Sequence, residues 1–247
     1  MSDHRFVIVI PSYNNKDWYR NNLDSVFEQK YKNFRVIYTD DASPDGTGEL
    51  VQEYIENNCP KNLKISLVKN EKRLGAMENM YNMVHSCDDD EIIIVLDGDD
   101  WLANDTVLER LSEEYDKDVW MTYGQFKEFP GDGPGCSTVI PDIVKLKGNY
   151  RRFRWCCSHL RTYYSWLFKK ILKEDLMING EFFSMSSDLA AMFPMLEMAG
   201  MKHSFIPDIL YIYNCQTPLS DGKVDLRGQQ ALEFYIRAQK PYKRCFK

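Results

Sequence analysis

Three carboxylates, Asp97, Asp99 and Asp100, fall within four residues directly after the unbroken apolar run Ile92–Leu96. Such a run reads as a strand buried on both faces of a parallel sheet. Parallel α/β sheets hold their ligands just beyond the carboxyl ends of the strands, so these acids stand where a ligand would stand. Three like charges packed together repel one another unless a cation or protons offset them. A divalent metal carrying a polyphosphate is the simplest partner. Hard carboxylate oxygens suit Mg2+ or Mn2+, and Gly98 between the first two acids lets the backbone approach a ligand closely. Two other acidic chemistries fail on spacing. A helix-loop-helix calcium loop starting at Asp97 would need Gly at position 102 and Glu at 108, where Leu102 and Leu108 stand. A phosphoaspartate phosphatase would want Thr or Val where Trp101 stands.

The elements that must position these acids follow from periodicity. Residues 5–10 read as a first strand ended by Pro11, with turn chemistry in Ser12–Asn15. Residues 16–29 carry Trp18, Tyr19, Leu23, Val26 and Phe27 at helical spacing. A strand over 34–39 runs into the turn-rich DDASPDGTG, a helix over 48–58 follows, then a strand over 63–68 and a helix over 76–85. This alternation predicts an α/β fold with a mainly parallel sheet covered on both faces by helices. The loops after strands one, two and four would emerge on one edge. They would bring together Ser12, Asn14 and Asn15; Asp40, Asp41 and Asp45; and the acids at 97, 99 and 100.

The second half is less regular. A helix over 104–115, a strand over 118–124, a long Gly- and Pro-rich loop over 125–150 and a basic, aromatic stretch over 149–171 are expected. A helix over 186–200, capped by Ser186 or Ser187 and kinked at Pro194, follows. Two short strand pieces around Pro207 and a helical tail from Asp225 complete the chain.

The 247 residues, 44% hydrophobic and 28% charged, suffice for a large core without staples. A formal net charge of -6 argues against wholesale nucleic-acid binding. No apolar run is long enough to span a bilayer, and the first residues lack a signal-peptide pattern. Seven scattered cysteines, an odd number, suggest reduced thiols and a cytoplasmic location. Arg151, Arg152 and Arg154 read as a solvated face or a membrane-surface patch.

IPSYNN after strand one, DDASPDGT after strand two, the helix start Gly75–Asn79 and VLDGDDWL after strand four occur in order. Over residues 5–215 this set resembles a family 2 glycosyltransferase with the GT-A fold. The resemblance implies transfer of a sugar, with inversion, from a nucleotide-sugar, most simply a UDP-sugar, to a sugar, lipid or protein hydroxyl, with Mn2+ or Mg2+ as cofactor. It implies that Pro11, Ser12, Tyr13 and Asn15 line the nucleoside cleft. Asp40 or Asp41, the latter preferred, would accept the uracil N–H, with Arg73 near base and phosphates. Asp97-Gly98-Asp99 matches the D-x-D motif, with Asp99 on the metal and Asp97 on the ribose or the metal's hydration shell. The catalytic base matches Asp188, with Ser187 standing where Glu is common. Relatives often supply a metal-binding His after the strand near 210, but residues 213–223, YNCQTPLSDGK, hold none, so the acids and phosphates would carry the metal alone. Trp155, His159 and Arg161 are candidates for the acceptor side, the tryptophan offering an aromatic face to a sugar. The implied division is a nucleotide-sugar-binding half over 1–103, a catalytic and acceptor half over 104–222 and a helical tail over 223–247. A nucleotidyltransferase shares this architecture, but no Gly-rich, basic signature follows the first strand. A non-catalytic nucleotide-sugar-binding protein would keep the cleft without turnover.

Overall fold

Alternate residues of the first strand, β1 (Phe6–Ser12), enter two different cores, and this sets the architecture of the computed structural model. The structure describes residues 3–131, 133–218 and 221–246. Val7 and Val9 point to one side, with Ile93 and Val95 of β4 (Ile92–Val95). That side is covered by α3 (Ala76–His85), α6 (Ser165–Lys169) and α7 (Ser187–Ala199). Phe6, Ile8 and Ile10 point to the other side, under α1 (Tyr19–Phe27), α2 (Thr47–Asn58) and α4 (Val107–Tyr115). Every residue of β4 is buried, as a strand sandwiched between two helical layers must be.

The remaining strands are β2 (Phe34–Asp40), β3 (Lys64–Lys69), β5 (Trp101–Leu102), β6 (Met121–Phe129), β7 (Arg161–Tyr164) and β10 (His203–Asn214). They form one eight-stranded sheet in the order β3-β2-β1-β4-β7-β6-β10-β5. β1 pairs in parallel with both β2 and β4. β3 lies at the edge, exposing Lys64 and Lys69, which blunts the edge against pairing with another chain. β7 runs antiparallel to β4 and β6, so the sheet is mixed and mainly parallel. A separate small hairpin pairs β8 (Met177–Ile178) with β9 (Glu181–Phe182).

Several expectations are corrected. The basic, aromatic stretch contributes the central strand β7, because Arg161–Tyr164 finds a free edge on β4. β6 continues to Phe129, held by its long pairing with β10, and α5 (Asp142–Lys147) occupies part of the expected loop. Asp132 of that loop lies outside the described residues. Residues around Pro207 form one strand with register irregularities between Ile206 and Ile209 and again before Tyr211, rather than two pieces. α7 starts after Ser186, in the left-handed region at φ 56°, and contains Pro194. Arg151 is neither solvated nor a membrane contact. It is 5% exposed, and its guanidinium donates to Glu197 Oε1 at 2.8 Å and Oε2 at 3.1 Å, as well as to the Ile236 carbonyl. Glu197 also accepts the Tyr242 N–H at 2.9 Å. This knot ties α7 to the tail, which consists of α8 (Asp221–Val224), α9 (Leu226–Ala238) and the segment beyond. The two sequence halves share the sheet, since β5 ends the first and pairs with β10 of the second. All seven cysteines are free, and no helix among the described residues is long and apolar enough to cross a membrane.

Candidate active site

The acidic turn is fixed by its neighbours before any ligand is considered. The Gly98 N–H donates to the Pro11 carbonyl at 3.1 Å, and the Asp100 N–H closes the turn onto the Asp97 carbonyl. From α1, the buried Asn22 amide donates to the carbonyls of both Asp97 (3.0 Å) and Asp100 (2.8 Å). Gly98 is required by close approach: a Cβ there would lie 2.6 Å from Asn15 Nδ2 and 2.7 Å from Ser12 Oγ. Asp100, 1% exposed, accepts the Tyr211 hydroxyl at 2.6 Å and the Asn214 N–H at 2.7 Å.

β7 supplies what the first half lacks. Its register sets Arg161 opposite Val95. Two residues beyond on that antiparallel track, His159 arrives beside Asp97, its Nδ1 3.9 Å from Asp97 Oδ2. The imidazole stacks on Tyr211 with centroids 4.3 Å apart, and its buried Nδ1 has no hydrogen-bond partner among the described residues. Burial, reinforced by the Arg161 charge, pushes its pKa well below the ordinary value, so the ring is neutral and keeps a lone pair. Asp97, Asp100 and His159 can each bring one donor atom within 4.8 Å of the others. Burial and then the Asp97 charge push the Asp99 carboxyl up to about 6. Burial, then Asp99 and Asp97, hold Asp100 well above the usual carboxylate range. Without a cation, burial and the neighbouring charges therefore favour the protonated forms of Asp99 and Asp100. The convergent set keeps Asp97 of the expected metal pair but joins it to Asp100 and His159. Asp99 lines the same cavity, where Thr217 and Lys223 favour its charged form. With no histidine after the strand near 210, the acids and phosphates were expected to carry a metal alone. The structure instead brings His159, two residues before β7, beside the acids, and His203 packs in the core against Tyr150.

Arg161, 7% exposed, reaches Asp97 with one nitrogen and Asp188 with another, each at 3.4 Å. Burial works against its charge, but the two carboxylates raise its pKa above the ordinary value. Asp188 sits in the first turn of α7, a helix buried from Leu189 to Ala199 and so rigidly seated. The two acids are thus held on either side of one guanidinium.

At the other end, Ser12 Oγ accepts from Asn15 Nδ2 at 3.0 Å and from the Tyr38 hydroxyl at 2.8 Å. Its own proton is therefore left to donate. The Arg73 guanidinium lies 3.9 Å from the centroid of the Tyr13 ring. Asp41 accepts the N–H groups of Leu74 and Gly75 and the Asn70 amide, all at 2.8 Å. Burial pushes its carboxyl up, but the nearby Asn79 amide and these bonds outweigh it, leaving the pKa below the usual range.

All of this faces one cavity of about 580 Å3. Pro11, Ser12, Tyr13, Asn15, Asp41, Arg73, Asp97, Gly98, Asp99, His159, Arg161 and Asp188 line it together. Asp40 does not: it is 4% exposed and accepts the Ser43 N–H at 3.2 Å inside its own loop. Trp155 does not either, its ring packing edge-on against Phe193 at 5.6 Å. The cavity also takes in Asp100 and Asn79, which the sequence analysis noted without giving either a site role, and Tyr213, Thr217, Lys223 and Gln229, which it did not single out. The last three depend on how the tail folds back.

The sequence matches the family described as "Glycosyl transferase family 2" over residues 7–176. It is 27% identical over 197 residues to the Escherichia coli UDP-Glc:alpha-D-GlcNAc-diphosphoundecaprenol beta-1,3-glucosyltransferase WfgD, covering 71% of this chain and 72% of that protein. In two other curated relatives the matched segment is a small part of the whole, 18% of one and 36% of the other. The structure superposes on Staphylococcus aureus TarS 1-349 in complex with UDP-GlcNAc at a TM-score of 0.62 and 18% identity, covering 86% of this chain and 59% of that one. It also superposes on the mannosyltransferase PcManGT from Pyrobaculum calidifontis, in complex with GDP-Man and Mn2+, at a TM-score of 0.59 and 18% identity. That match covers 96% of this chain and 65% of PcManGT. At such identity the likeness establishes the shared GT-A fold.

Proposed function

The chain belongs to glycosyl transferase family 2, and from that premise we propose that it moves a sugar, with inversion, from a UDP-sugar to the hydroxyl of a glycan, lipid-linked or protein-linked acceptor. The observation that carries this reading is the Arg161 bridge, in which the two terminal nitrogens of one guanidinium reach Asp97 and Asp188, each at 3.4 Å. An inverting displacement needs a pole for the departing diphosphate and a carboxylate on the opposite face to take the acceptor's proton. Asp97 lies at the first pole and Asp188 at the second.

Residues 1–103 hold the donor. Tyr13 and Arg73 form a stacked platform at the nucleoside end, Ser12 donates to base or ribose, and Asp41 offers its remaining lone pairs to the uracil N–H. Residues 104–222 bring Asp188 and the acceptor side, and the 223–247 tail adds Lys223 and Gln229 to the rim. The acid cluster fits a divalent cation, Mn2+ or Mg2+. Burial, with the neighbouring acid charges added, raises the carboxyls of Asp99 and Asp100, which a cation would relieve, and beside them lies a neutral imidazole nitrogen with no hydrogen-bond partner among the described residues. Asp97, Asp100 and His159 would hold the ion. When bound, the cation neutralises charge developing on the diphosphate oxygens. Arg161 and Lys223 supply further positive charge to the same oxygens, and Arg161 fixes Asp188 for proton abstraction.

The test is release of UDP from UDP-sugars incubated with Mn2+, for the native chain and for Asp188→Asn. We expect Asp188→Asn to lose about 100-fold or more of kcat, the scale of a positioned base, with UDP affinity retained. A native chain that binds no UDP-sugar by calorimetry, or an Asp188→Asn variant that turns over normally, overturns the proposal. Pyrophosphate release from a nucleoside triphosphate would mark a nucleotidyltransferase instead.

A further inference from the structure

Beside the polar cavity lies an apolar recess of about 30 Å3. Its wall is Met77 and Met80 of α3, Val95 of β4, Tyr163 of β7, and Ala191 and Met192 of α7. None of these is more than 9% exposed. Its mouth is framed by Pro11, Ala76, Asp97, Arg161, Ser187 and Asp188, which also line the polar cavity, so it opens at the guanidinium bridge and the polar groups stand at the entrance. A buried water needs about two to four polar partners. The hydroxyl on this wall, that of Tyr163, is already directed at the Met80 sulfur, 3.5 Å away. The recess therefore suits an apolar group better than a water, and thioether walls adapt readily to its shape.

We infer that this recess receives a methyl group carried by the donor sugar and thereby selects which sugar is transferred. The inference rests on the donor reading above. In that reading the anomeric carbon lies between the diphosphate at Asp97 and the acceptor at Asp188. A substituent of the same ring then projects into the mouth that these residues frame. An unmodified hexose presents a hydroxyl there, which would give up its hydrogen bonds to water without replacement. An acetamido methyl or a 6-deoxy methyl loses nothing and fills the space. One such apolar group in a fitted pocket is worth roughly 10- to 200-fold in discrimination.

Calorimetric dissociation constants and kcat/KM would be compared for UDP-glucose, UDP-N-acetylglucosamine and UDP-6-deoxyglucose, with UDP as the sugar-free control. A methyl-bearing donor should be preferred over UDP-glucose by about tenfold or more, and which of the two is preferred identifies the source of the methyl. Ala191→Leu, which fills the recess, should collapse that preference while leaving UDP affinity unchanged. Ala191→Val serves the same purpose should the larger side chain prevent folding. Equal use of all three donors overturns the inference, as does a preference that survives both substitutions. Failure of UDP and every UDP-sugar to bind would instead bring down the donor reading itself, which separates the two failures.

Discussion

Replacing Arg151 by methionine tests how the helix bearing Asp188 is anchored. Arg151 and Glu197 are each 5% exposed, and the arginine makes two hydrogen bonds to the carboxylate. Burial already holds the Glu197 carboxyl above its ordinary value, while Arg151 pulls it down. With methionine at 151 that opposing pull is lost, and the folded chain grips the Glu197 proton more tightly still. A carboxyl whose folded pKa exceeds its unfolded value of about 4.3 lends full stability below that value and loses it as pH rises through the folded one. The variant should therefore be near native stability at acidic pH and grow weaker toward alkaline pH. Once Glu197 ionises without its partner, the loss should reach about 3–5 kcal/mol, the cost of breaking a buried pair. Against a typical domain stability of about 5–15 kcal/mol this is a large fraction. Urea unfolding followed by tryptophan fluorescence, at about pH 5 and about pH 8, measures it. The double variant Arg151→Met/Glu197→Gln should lose the pH slope, since no carboxylate remains. A single variant that loses under about 1 kcal/mol, equally at both pH values, would refute the view that this ion pair secures α7.

Gly98→Ala should abolish UDP binding in calorimetry and cost about 1–3 kcal/mol of stability, because the new methyl collides with Ser12 and Asn15. Tyr211→Phe removes the donor to Asp100 and should lower stability by about 1–3 kcal/mol in urea unfolding, more at alkaline than at acidic pH, since Asp100 then ionises without that bond. Added Mn2+ should raise the melting temperature with the logarithm of its concentration, by an amount equivalent to about 2.7 kcal/mol at a hundredfold excess over Kd, and chelator should reverse it. His159→Ala should shrink that rise, whereas an unchanged melting curve in Mn2+ would remove the ion from the site. Arg73→Leu should weaken UDP binding by several-fold at most, as expected for losing a cation–π platform worth about 0.5–1 kcal/mol.

The first half of the fold was legible because its strands are short apolar runs separated by turn residues, and each loop after a strand carries polar side chains. Ser12, Asp41 and Asp97 meet because parallel pairing forces the ends of β1, β2 and β4 to one edge, a consequence of topology alone. Between Asp40 and Asp41, adjacent residues that point to opposite sides, the sequence reading preferred Asp41 on family resemblance rather than on any local signal. In the structure Asp41 faces the cavity while Asp40 turns into its loop. The second half was harder. β7 is a four-residue strand hidden in a stretch rich in arginine and aromatics, and its insertion beside β4 depends on a long-range pairing with no local signature. His159 was accordingly noticed for its residue type but not for its place next to Asp97. Arg151 shows the same limit: it reads as one of three surface arginines until its buried partner, far along the chain, is known.

The antiparallel strand threaded between β4 and β6 also constrains how the molecule is made. Until Arg161–Tyr164 has been synthesised, the fully apolar β4 has one side without a neighbour, and a nascent chain must carry that sticky border. The segment that finally closes it is the one that carries His159 and Arg161 into place. Closing the border and arming the cavity are therefore one event, and a stalled or truncated product ending before that strand would be prone to self-association and chemically inert.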